Sequence, residues 1–163
     1  MSIEFKQGDI TRENVDAIVN ASNYTLVAGG GVDLAIHMAA GPELTHECAI
    51  MQGCPTGEAR ITKGYNLPAK HVIHTVGPVY GYENGREEGL LERCYRNSLE
   101  LAKKHFIKTI AFPCVSTGTF LFPRAEAAKI ATAVAQKYSN EFEKIILVCF
   151  LRLDYYIYKS LLE

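Results

Sequence analysis

The sequence lacks the features of several common protein classes. No apolar run approaches the length of a membrane span, and the segment from Met1 to Lys6 has no apolar region like that of a signal peptide. Lysine and arginine total 17 against 18 acidic residues, so there is no excess of positive charge to attract nucleic acid in bulk. These absences predict a soluble, cytoplasmic protein that binds neither membranes nor bulk nucleic acid.

Cysteine and histidine are too scattered to suggest a metal centre. The five cysteines never form C-x-x-C, so most of them are expected to be small buried side chains in a reducing compartment. Cys114 is a candidate nucleophile, although no base adjoins it in the sequence. His71 and His74 fall on opposite faces of a predicted strand, and His37 is interpreted as a polar flank of a helix. We therefore expect no metal and no cofactor.

The apolar pattern predicts one α/β domain over residues 1–163. Of these residues 48% are hydrophobic, which is enough to form a core. Strand-like runs, several of them apolar on both faces, alternate with helix-like segments. This pattern indicates a three-layer α/β/α fold around a mostly parallel or mixed sheet. The expected strands are 3–6, 16–20, 58–63, 71–76, 109–112 and 144–150. The expected helices are 32–40, 43–51, 87–105, 124–138 and 154–162.

The most distinctive stretch runs from Asn20 to His37. It leaves an apolar run, passes through a loop with three successive glycines, and enters residues with helical spacing. Glycine lets a ligand approach the main chain, and the first amides of a helix lack internal partners and carry the positive end of its dipole. This succession of strand, loop and helix predicts a site for an anion such as phosphate.

Two further loops follow predicted strands, at Gly8 to Thr11 and at Cys114 to Phe122. The second is rich in hydroxyl side chains and also opens a helix. Ligands of such sheets bind at the carboxyl ends of the strands, so the three loops are expected to form one site where backbone amides hold a diphosphate. The motif G-x-x-x-x-G-K-[ST] is absent, which argues against an ATPase. The patterns G-x-G-x-x-G and G-x-S-x-G are absent as well.

A set of short motifs extends along essentially the whole chain. They are Gly8-Asp9-Ile10-Thr11, Val15 to Asn23, Gly29-Gly30-Gly31-Val32-Asp33, Ala39 to Pro42, Cys54 to Ala59, Leu67 to Lys70, His74 to Pro78 and Ser116-Thr117-Gly118. In order and spacing these motifs resemble the macrodomain family, most of all its MacroD-type ADP-ribosyl hydrolases. The resemblance implies a mixed sheet between helices and a deep cleft. It also implies ADP-ribose, its esters and mono-ADP-ribosylated proteins as partners.

The resemblance assigns roles to individual residues. Asp9 is expected to accept a hydrogen bond from the adenine amino group, with Ile10 and Phe150 beside the ring. Asn23 and Asp33 match the pair that the family uses for hydrolysis. The other implied substrate-binding residues are Asn20, Ala21, Gly29, Gly30, Gly31 and Val32 in the first loop, and Ser116, Thr117, Gly118, Thr119 and Phe120 in the second, with Phe120 against the distal ribose.

The family's reactions release ADP-ribose from acidic side chains and deacetylate O-acetyl-ADP-ribose, and both cleave an ester on the distal ribose. A carboxylate such as Asp33 can orient a water molecule or take its proton, and a general base contributes about 10²- to 10⁴-fold. Asn23 can offer a donor and an acceptor to ribose hydroxyls. Nothing in this chemistry requires a metal.

The same residues also have structural interpretations. Asp33 is placed to cap a helix, Asp9 to close a turn, and the asparagines at 20 and 23 to bond their own backbone. Phe120 and Phe150 are of a type common in cores. Two alternative functions follow: a module that binds ADP-ribose without turnover, and a phosphatase acting on ADP-ribose 1″-phosphate. A monomer is expected.

Three residues depart from the glycines that the family usually has at these positions, namely Ala28, Leu34 and Leu121. If the backbone at Leu121 needs a positive φ, the branched side chain costs on the order of 1 kcal/mol. The loop is therefore expected to take a different path, and the bulk of Leu121 to narrow the distal-ribose end.

Overall fold

The computed structural model describes residues 2–162 and contains a six-stranded sheet between two layers of helices. The strands are β1 (Ile3–Gln7), β2 (Ala17–Ser22), β3 (Ala59–Lys63), β4 (His71–Val76), β5 (Thr109–Phe112) and β6 (Lys144–Cys149). The helices are α1 (Gly31–Ala40), α2 (Pro42–Ile50), α3 (Glu87–Lys104), α4 (Arg124–Tyr138) and α5 (Arg152–Leu162). Short 3₁₀ turns occupy Ile10–Arg12 and Ser139–Glu141. The predicted strands and helices are confirmed to within about two residues at each end, which is the usual uncertainty of such boundaries.

The sheet has the strand order β1-β6-β5-β2-β4-β3. Every neighbouring pair is parallel except β3 and β4, so the sheet is mixed, as expected. Because β1, β2, β4, β5 and β6 run in the same direction, their carboxyl ends lie along one edge of the sheet. The loops that follow these strands therefore emerge side by side, which is where ligands of such sheets bind.

Apolar side chains on both faces of the sheet explain the three layers. Alternate residues of a strand point to opposite faces, so Ile18 packs in the core beside α1 and α2, whereas Val19 packs in the core beside α3, α4 and α5. The first core includes Ile36 and Leu44, and the second includes Leu91. A sheet covered on both faces needs the continuous apolar runs seen in β2, β5 and β6.

Asp16, just before β2, ties the start of that strand to β5. Its Oδ2 accepts hydrogen bonds from the backbone amides of Lys108 at 2.8 Å and Thr109 at 3.2 Å. Its own amide donates to the Thr109 hydroxyl at 2.8 Å. Partial burial opposes ionisation of Asp16, but these amides outweigh that cost, so the pKa of the carboxyl lies below its ordinary value.

We predict that Asp16→Ala lowers the free energy of unfolding by about 1 to 2 kcal/mol near neutral pH, because two amides lose a charged acceptor. A carboxyl whose pKa is lowered by folding stabilises the protein above its unfolded pKa, near ~3.9, and loses that contribution as the pH falls through the folded value. The difference between wild type and variant in urea unfolding should therefore shrink below about pH 4.

Glu4→Ala provides the control, because the Glu4 carboxylate pairs with Lys144 at 3.3 Å on the surface. Such exposed pairs contribute roughly 0 to 1 kcal/mol. A difference for Asp16→Ala that stays constant from neutral to acid pH would contradict the assignment.

Candidate active site

A cleft of about 720 Å³ lies at the edge where the parallel strands end. The loops that follow β1, β2, β5 and β6 form its walls, as the sequence predicted for the first three of these loops. Its lining includes the residues expected from the sequence at Asp9, Ile10, Ala21, Asn23, Gly29, Gly30, Gly31, Val32, Asp33, Ser116, Thr117, Gly118, Thr119, Phe120 and Phe150.

Asn20 is the exception among the expected residues, because it is fully buried and does not line the cleft. Its Nδ2 donates to Asp33 Oδ1 at 2.8 Å and lies 3.1 Å from His74 Nδ1. In β2 the side chain of Asn20 points to the same face as that of Ile18, beneath α1. The expected direct contact of Asn20 with substrate is therefore wrong, and its role is to hold Asp33 from below.

Asp33 lies in the first turn of α1 and connects three parts of the site. Its Oδ2 accepts a hydrogen bond from the Gly29 amide at 2.8 Å, while Oδ1 accepts the bond from Asn20. The side chain is almost completely buried yet borders the cleft. A carboxylate at this position also suits the positive end of the helix dipole. Asp33 does not cap its helix, since Gly30 is the N-cap, but it fixes the loop in front of that helix.

The glycine loop depends on backbone conformations that other residues reach only with strain. Gly31 begins α1 with φ of 59°, in the left-handed region. Gly30 is the N-cap and makes no side-chain capping bond. The first amides of α1 have no partner within the helix, and Gly31, Val32 and Asp33, which carry them, line the cleft, as an anion site requires.

His37 is buried on the inner side of the same helix, so its interpretation as a polar flank is wrong. Its Nε2 lies 3.4 Å from Asp33 Oδ1 but makes no hydrogen bond among the described residues. One turn of helix separates the two residues, and this spacing of four was a signal that the sequence contained. His74 lies behind them, and burial, with His37 nearby, lowers the pKa of its imidazole to about 3.

Asn23 and Asp9 combine turn formation with a position in the cleft. Asn23 Oδ1 accepts bonds from the amide and hydroxyl of Thr25, and its Nδ2 donates to the Val27 carbonyl at 2.7 Å. Asp9 Oδ1 accepts from the amide and hydroxyl of Thr11 at 3.0 and 2.7 Å. The Thr11 hydroxyl bond is the largest influence on Asp9 and lowers the pKa of its carboxyl. Both structural interpretations are confirmed, and both side chains still border the cleft.

The second loop is held by backbone bonds between its own ends and to the segment after β4. The Phe122 amide donates to the Ser116 carbonyl at 2.9 Å, and the Tyr80 amide donates to the Phe120 carbonyl at 2.8 Å. Ser116 adopts φ of 66°, and its hydroxyl has no hydrogen-bond partner among residues 2–162. Phe120 is partly buried at the cleft, whereas the Phe150 ring is 78% exposed, so the alternative interpretation of Phe150 as a core residue is wrong.

Leu121 does not divert this loop. It adopts φ of 61°, the conformation for which glycine is usual, and its side chain is 72% exposed and absent from the cleft lining. The expected change of path and the expected narrowing of the cleft are therefore both wrong. Neighbouring bonds, such as that from the Leu121 amide to the Gly118 carbonyl at 3.0 Å, hold a conformation that costs a non-glycine residue about 1 kcal/mol or more.

Comparison with known proteins identifies the family. Residues 19–131 match the sequence model of the family described as Macro domain. The chain is 57% identical to a macro domain-containing protein of Methanosarcina mazei, over 91% of this chain and 81% of that protein. This chain belongs to the macrodomain family.

Two other relatives carry more specific names. ADP-ribose glycohydrolase MACROD2 of Homo sapiens is 49% identical over 97% of this macrodomain, which spans only 38% of the human protein. The Trypanosoma brucei macrodomain in complex with ADP-ribose superimposes with a TM-score of 0.94 at 43% identity, covering 99% of this chain and 69% of that one. The mixed sheet between helices is thus the macrodomain fold.

The macrodomain cleft contains residues that the sequence did not single out. Of the described residues that line it, Arg124 alone has a cationic side chain, and its Nη1 donates to Asp154 Oδ1 and Oδ2 at 2.7 and 2.6 Å. Thirty positions separate these two residues, so no local pattern could pair them. Lining residues outside the three loops proposed from the sequence are also Ala35, Gly77, Pro113, Val148, Leu151 and Asp154.

Cys114 borders the cleft but is poorly suited to act as a nucleophile. Its Sγ lies 3.9 Å from Cys149 Sγ, and this hydrogen bond, together with burial, raises the pKa of the Cys114 thiol well above its usual value. The other four cysteines are buried, as expected.

Residues 2–162 contain neither a metal-binding cluster nor a helix that could span a membrane. They contain no group of three or more His, Cys, Asp or Glu side chains arranged to hold a metal ion. In the same part of the chain no helix has both the length and the apolar character needed to cross a bilayer.

Gly77 follows β4 and packs against Val115 and Ser116 of the loop that follows β5. A β-carbon on Gly77 would lie 1.9 Å from Ser116 Oγ and 2.8 Å from Val115 Cγ1. We predict that Gly77→Ala lowers the free energy of unfolding by about 1 to 3 kcal/mol, since the buried Ser116 and Val115 side chains must shift to avoid this overlap.

Gly89→Ala is the matched control, because Gly89 lies in α3 and a β-carbon there meets no atom within 4 Å. This control should stabilise the protein by roughly 0.5 to 1 kcal/mol. Thermal or urea unfolding measures both changes. Equal effects of the two substitutions would show that Gly77 is not needed for close packing.

Proposed function

We propose that this macrodomain binds ADP-ribose and hydrolyses esters of its distal ribose, releasing ADP-ribose from acidic side chains of mono-ADP-ribosylated proteins. The observation that carries the proposal is the position of Asn23 and Asp33 on either side of Gly29. A β-carbon on Gly29 would lie 3.4 Å from both Asn23 Nδ2 and Asp33 Oδ2. The two polar groups therefore lie close together at the border of the cleft, beside the loop suited to phosphate. A relative named ADP-ribose glycohydrolase and a neighbour containing ADP-ribose support the proposal.

The diphosphate is proposed to lie between the two loops, at the amides of Gly29 to Val32 and of Ser116 to Phe120. Arg124 is already engaged with Asp154, so backbone donors must supply most of the attraction for the anion. Amides at the start of a helix point toward such a ligand and carry the favourable end of the dipole.

The order of the strands in the sheet indicates where the adenine and the distal ribose of the ligand lie. Asp9 and Ile10 follow β1 and Phe150 follows β6, and these strands are neighbours at one side of the sheet. Asn23 follows β2, near the other side. We therefore place adenine beside Asp9, Ile10 and the exposed ring of Phe150. The distal ribose and its ester then lie beside Asn23 and Asp33, with Phe120 against the ribose.

The remaining hydrogen-bonding capacity suggests how each group acts. Both lone pairs of Asn23 Oδ1 accept bonds from Thr25, and one Nδ2 hydrogen is used by Val27, so one N–H is left for a ribose hydroxyl. Each Asp33 oxygen already accepts one bond and retains a lone pair for a water molecule. Asp33 is thus proposed to orient the attacking water or to accept its proton.

Water adds across the ester in this reaction. One product is ADP-ribose with a free hydroxyl on its distal ribose, and the other is the free carboxylic acid, which ionises. The acetyl ester of ADP-ribose presents the same bond, so deacetylation of O-acetyl-ADP-ribose belongs to the same proposal. Cytoplasmic location and a monomeric state stay predictions from the sequence.

We predict that the wild type releases ADP-ribose from a protein modified on glutamate, and that Asp33→Ala slows release by about 10²-fold or more, as expected for loss of a general base or of the group that orients water. Asn23→Ala should also slow release, because a donor to the ribose is lost. Leu34→Ala is the matched control, since Leu34 follows Asp33 in α1 but lies outside the cleft lining. Release is measured from the modified protein, and ADP-ribose affinity by calorimetry.

The outcomes separate the candidate functions. Tight binding of ADP-ribose by the wild type without release would favour a binding module, an alternative suggested by the structural bonds that Asp33 already makes. Phosphate release from ADP-ribose 1″-phosphate without ester cleavage would favour a phosphatase. Absence of ADP-ribose binding would overturn all three.

A further inference from the structure

A chain of buried polar groups runs from Asp33 away from the cleft. Asn20 Nδ2 lies between Asp33 Oδ1 at 2.8 Å and His74 Nδ1 at 3.1 Å. On the other side of the imidazole ring, His74 Nε2 lies 3.0 Å from Thr62 Oγ1. Thr62 is on β3, so the chain crosses from β2 through β4 to the edge strand of the sheet. All four side chains are buried.

The charge of Asp33 fixes the direction of every bond in this chain. If the Asn20 amide were turned over, its oxygen would lie 2.8 Å from a carboxylate oxygen, and two acceptors would face each other. The amide nitrogen must therefore face Asp33. Its second hydrogen then points to His74, which has to accept it. The cost of this orientation is visible at Asn20 Oδ1, which is buried without a hydrogen-bond partner among the described residues.

The imidazole of His74 is thereby restricted to one tautomer. Nδ1 accepts from Asn20, so the ring proton is on Nε2 and is donated to the Thr62 hydroxyl. Thr62 in turn donates to the Lys63 carbonyl at 3.1 Å. The Ser22 hydroxyl, 3.4 Å from Nδ1, can only add a donor to the same nitrogen. Complete burial keeps the ring neutral, since it lowers the pKa of His74 to about 3.

We propose that His74, as the Nε2–H tautomer, is a positioning residue that orients the Asn20 amide and through it the Asp33 carboxylate. The effect of His74 on catalysis rests on the proposed hydrolase function, whereas the assignment of the Nε2–H tautomer does not. With His74 in place, both hydrogens of Asn20 Nδ2 are used and the amide cannot rotate away from Asp33. Without an acceptor at the Nδ1 position, Asn20 loses one of the two bonds that hold it.

The proposal predicts that the polarity of the chain reverses in Asp33→Asn. The new side chain keeps its oxygen on the Gly29 amide and presents an NH₂ group to Asn20. The Asn20 amide then turns over, His74 must donate from Nδ1, and Thr62 donates to the bare Nε2. A substitution at the cleft thus moves a proton from one nitrogen to the other in a buried ring that is separated from residue 33 by the side chain of Asn20.

Nitrogen-15 NMR of the histidine rings tests this in the free protein, with the His74 signals assigned by their loss in His74→Asn. The expected result is an Nε2–H, Nδ1-bare ring in the wild type at neutral pH, and an Nδ1–H, Nε2-bare ring in Asp33→Asn. A charged ring or an Nδ1–H ring in the wild type would overturn the proposal. So would an unchanged tautomer in Asp33→Asn. This test needs no turnover and stands even if the protein proves not to be a hydrolase.

Kinetics of ADP-ribose release test the positioning role with two matched substitutions. In asparagine the amide oxygen is three bonds from Cα, the same separation as Nδ1 of histidine. His74→Asn therefore keeps an acceptor for Asn20. In glutamine the polar atoms are four bonds from Cα, the same separation as Nε2 of histidine. His74→Gln therefore keeps a partner for Thr62 but no acceptor for Asn20. We expect kcat to fall about tenfold in His74→Gln, equivalent to losing one ordinary hydrogen bond, with KM and ADP-ribose affinity within about twofold. His74→Asn should retain most of kcat.

Ile73→Ala controls for lost stability, because Ile73 is buried on the opposite face of β4 from His74 and is not part of the chain of polar groups. It should lower the free energy of unfolding without lowering kcat at a temperature where the protein is folded. Equal kcat for His74→Gln and His74→Asn, or a loss in Ile73→Ala as large as in His74→Gln, would overturn the positioning role. If His74→Gln does not fold, the NMR result decides.

Discussion

The Asp33 carboxylate joins the helix that follows the glycine loop to the sheet that precedes it. One oxygen holds the Gly29 amide and the other holds Asn20 of β2, so the path of the loop is defined at both ends. A loop of three glycines would otherwise have great conformational freedom, and ordering it costs entropy. Preorganised amides bind an anion without that cost at the moment of binding. The geometry of the cleft therefore depends on one buried side chain.

Three residues of this site fix the local backbone and also border the cleft. Asp9, Asn23 and Asp33 each complete a turn or cap, and each also borders the cleft. A carboxylate or amide has more hydrogen-bonding positions than a turn requires, so the unused positions remain for a ligand. The structural and functional interpretations of such residues are therefore not alternatives. The loop conformation places each group, and the unused lone pairs and hydrogens define what it can bind.

The sequence predicted the strands and helices and three of the loops that form the cleft, because these follow from local signals. Buried strands such as β5 are short apolar runs, glycine and hydroxyl residues mark the loops, and family motifs supplied the roles. Burial and pairing across the sheet were less accessible. The pattern of β2 did not reveal that Asn20 points beneath α1, and Arg124 meets an aspartate thirty positions away. Leu121 shows a further limit, since neighbouring bonds hold a backbone conformation that its own preference opposes.

We propose that main-chain amides of two loops, ordered by Asp33, hold the diphosphate of ADP-ribose. A crystal structure of the complex tests it most directly. We expect phosphate oxygens within about 2.7 to 3.2 Å of amide nitrogens in both loops, with the bond between Asp33 and the Gly29 amide intact. Phosphates held instead by the Arg124 guanidinium or by lysine side chains, or a glycine loop released from Asp33, would contradict it.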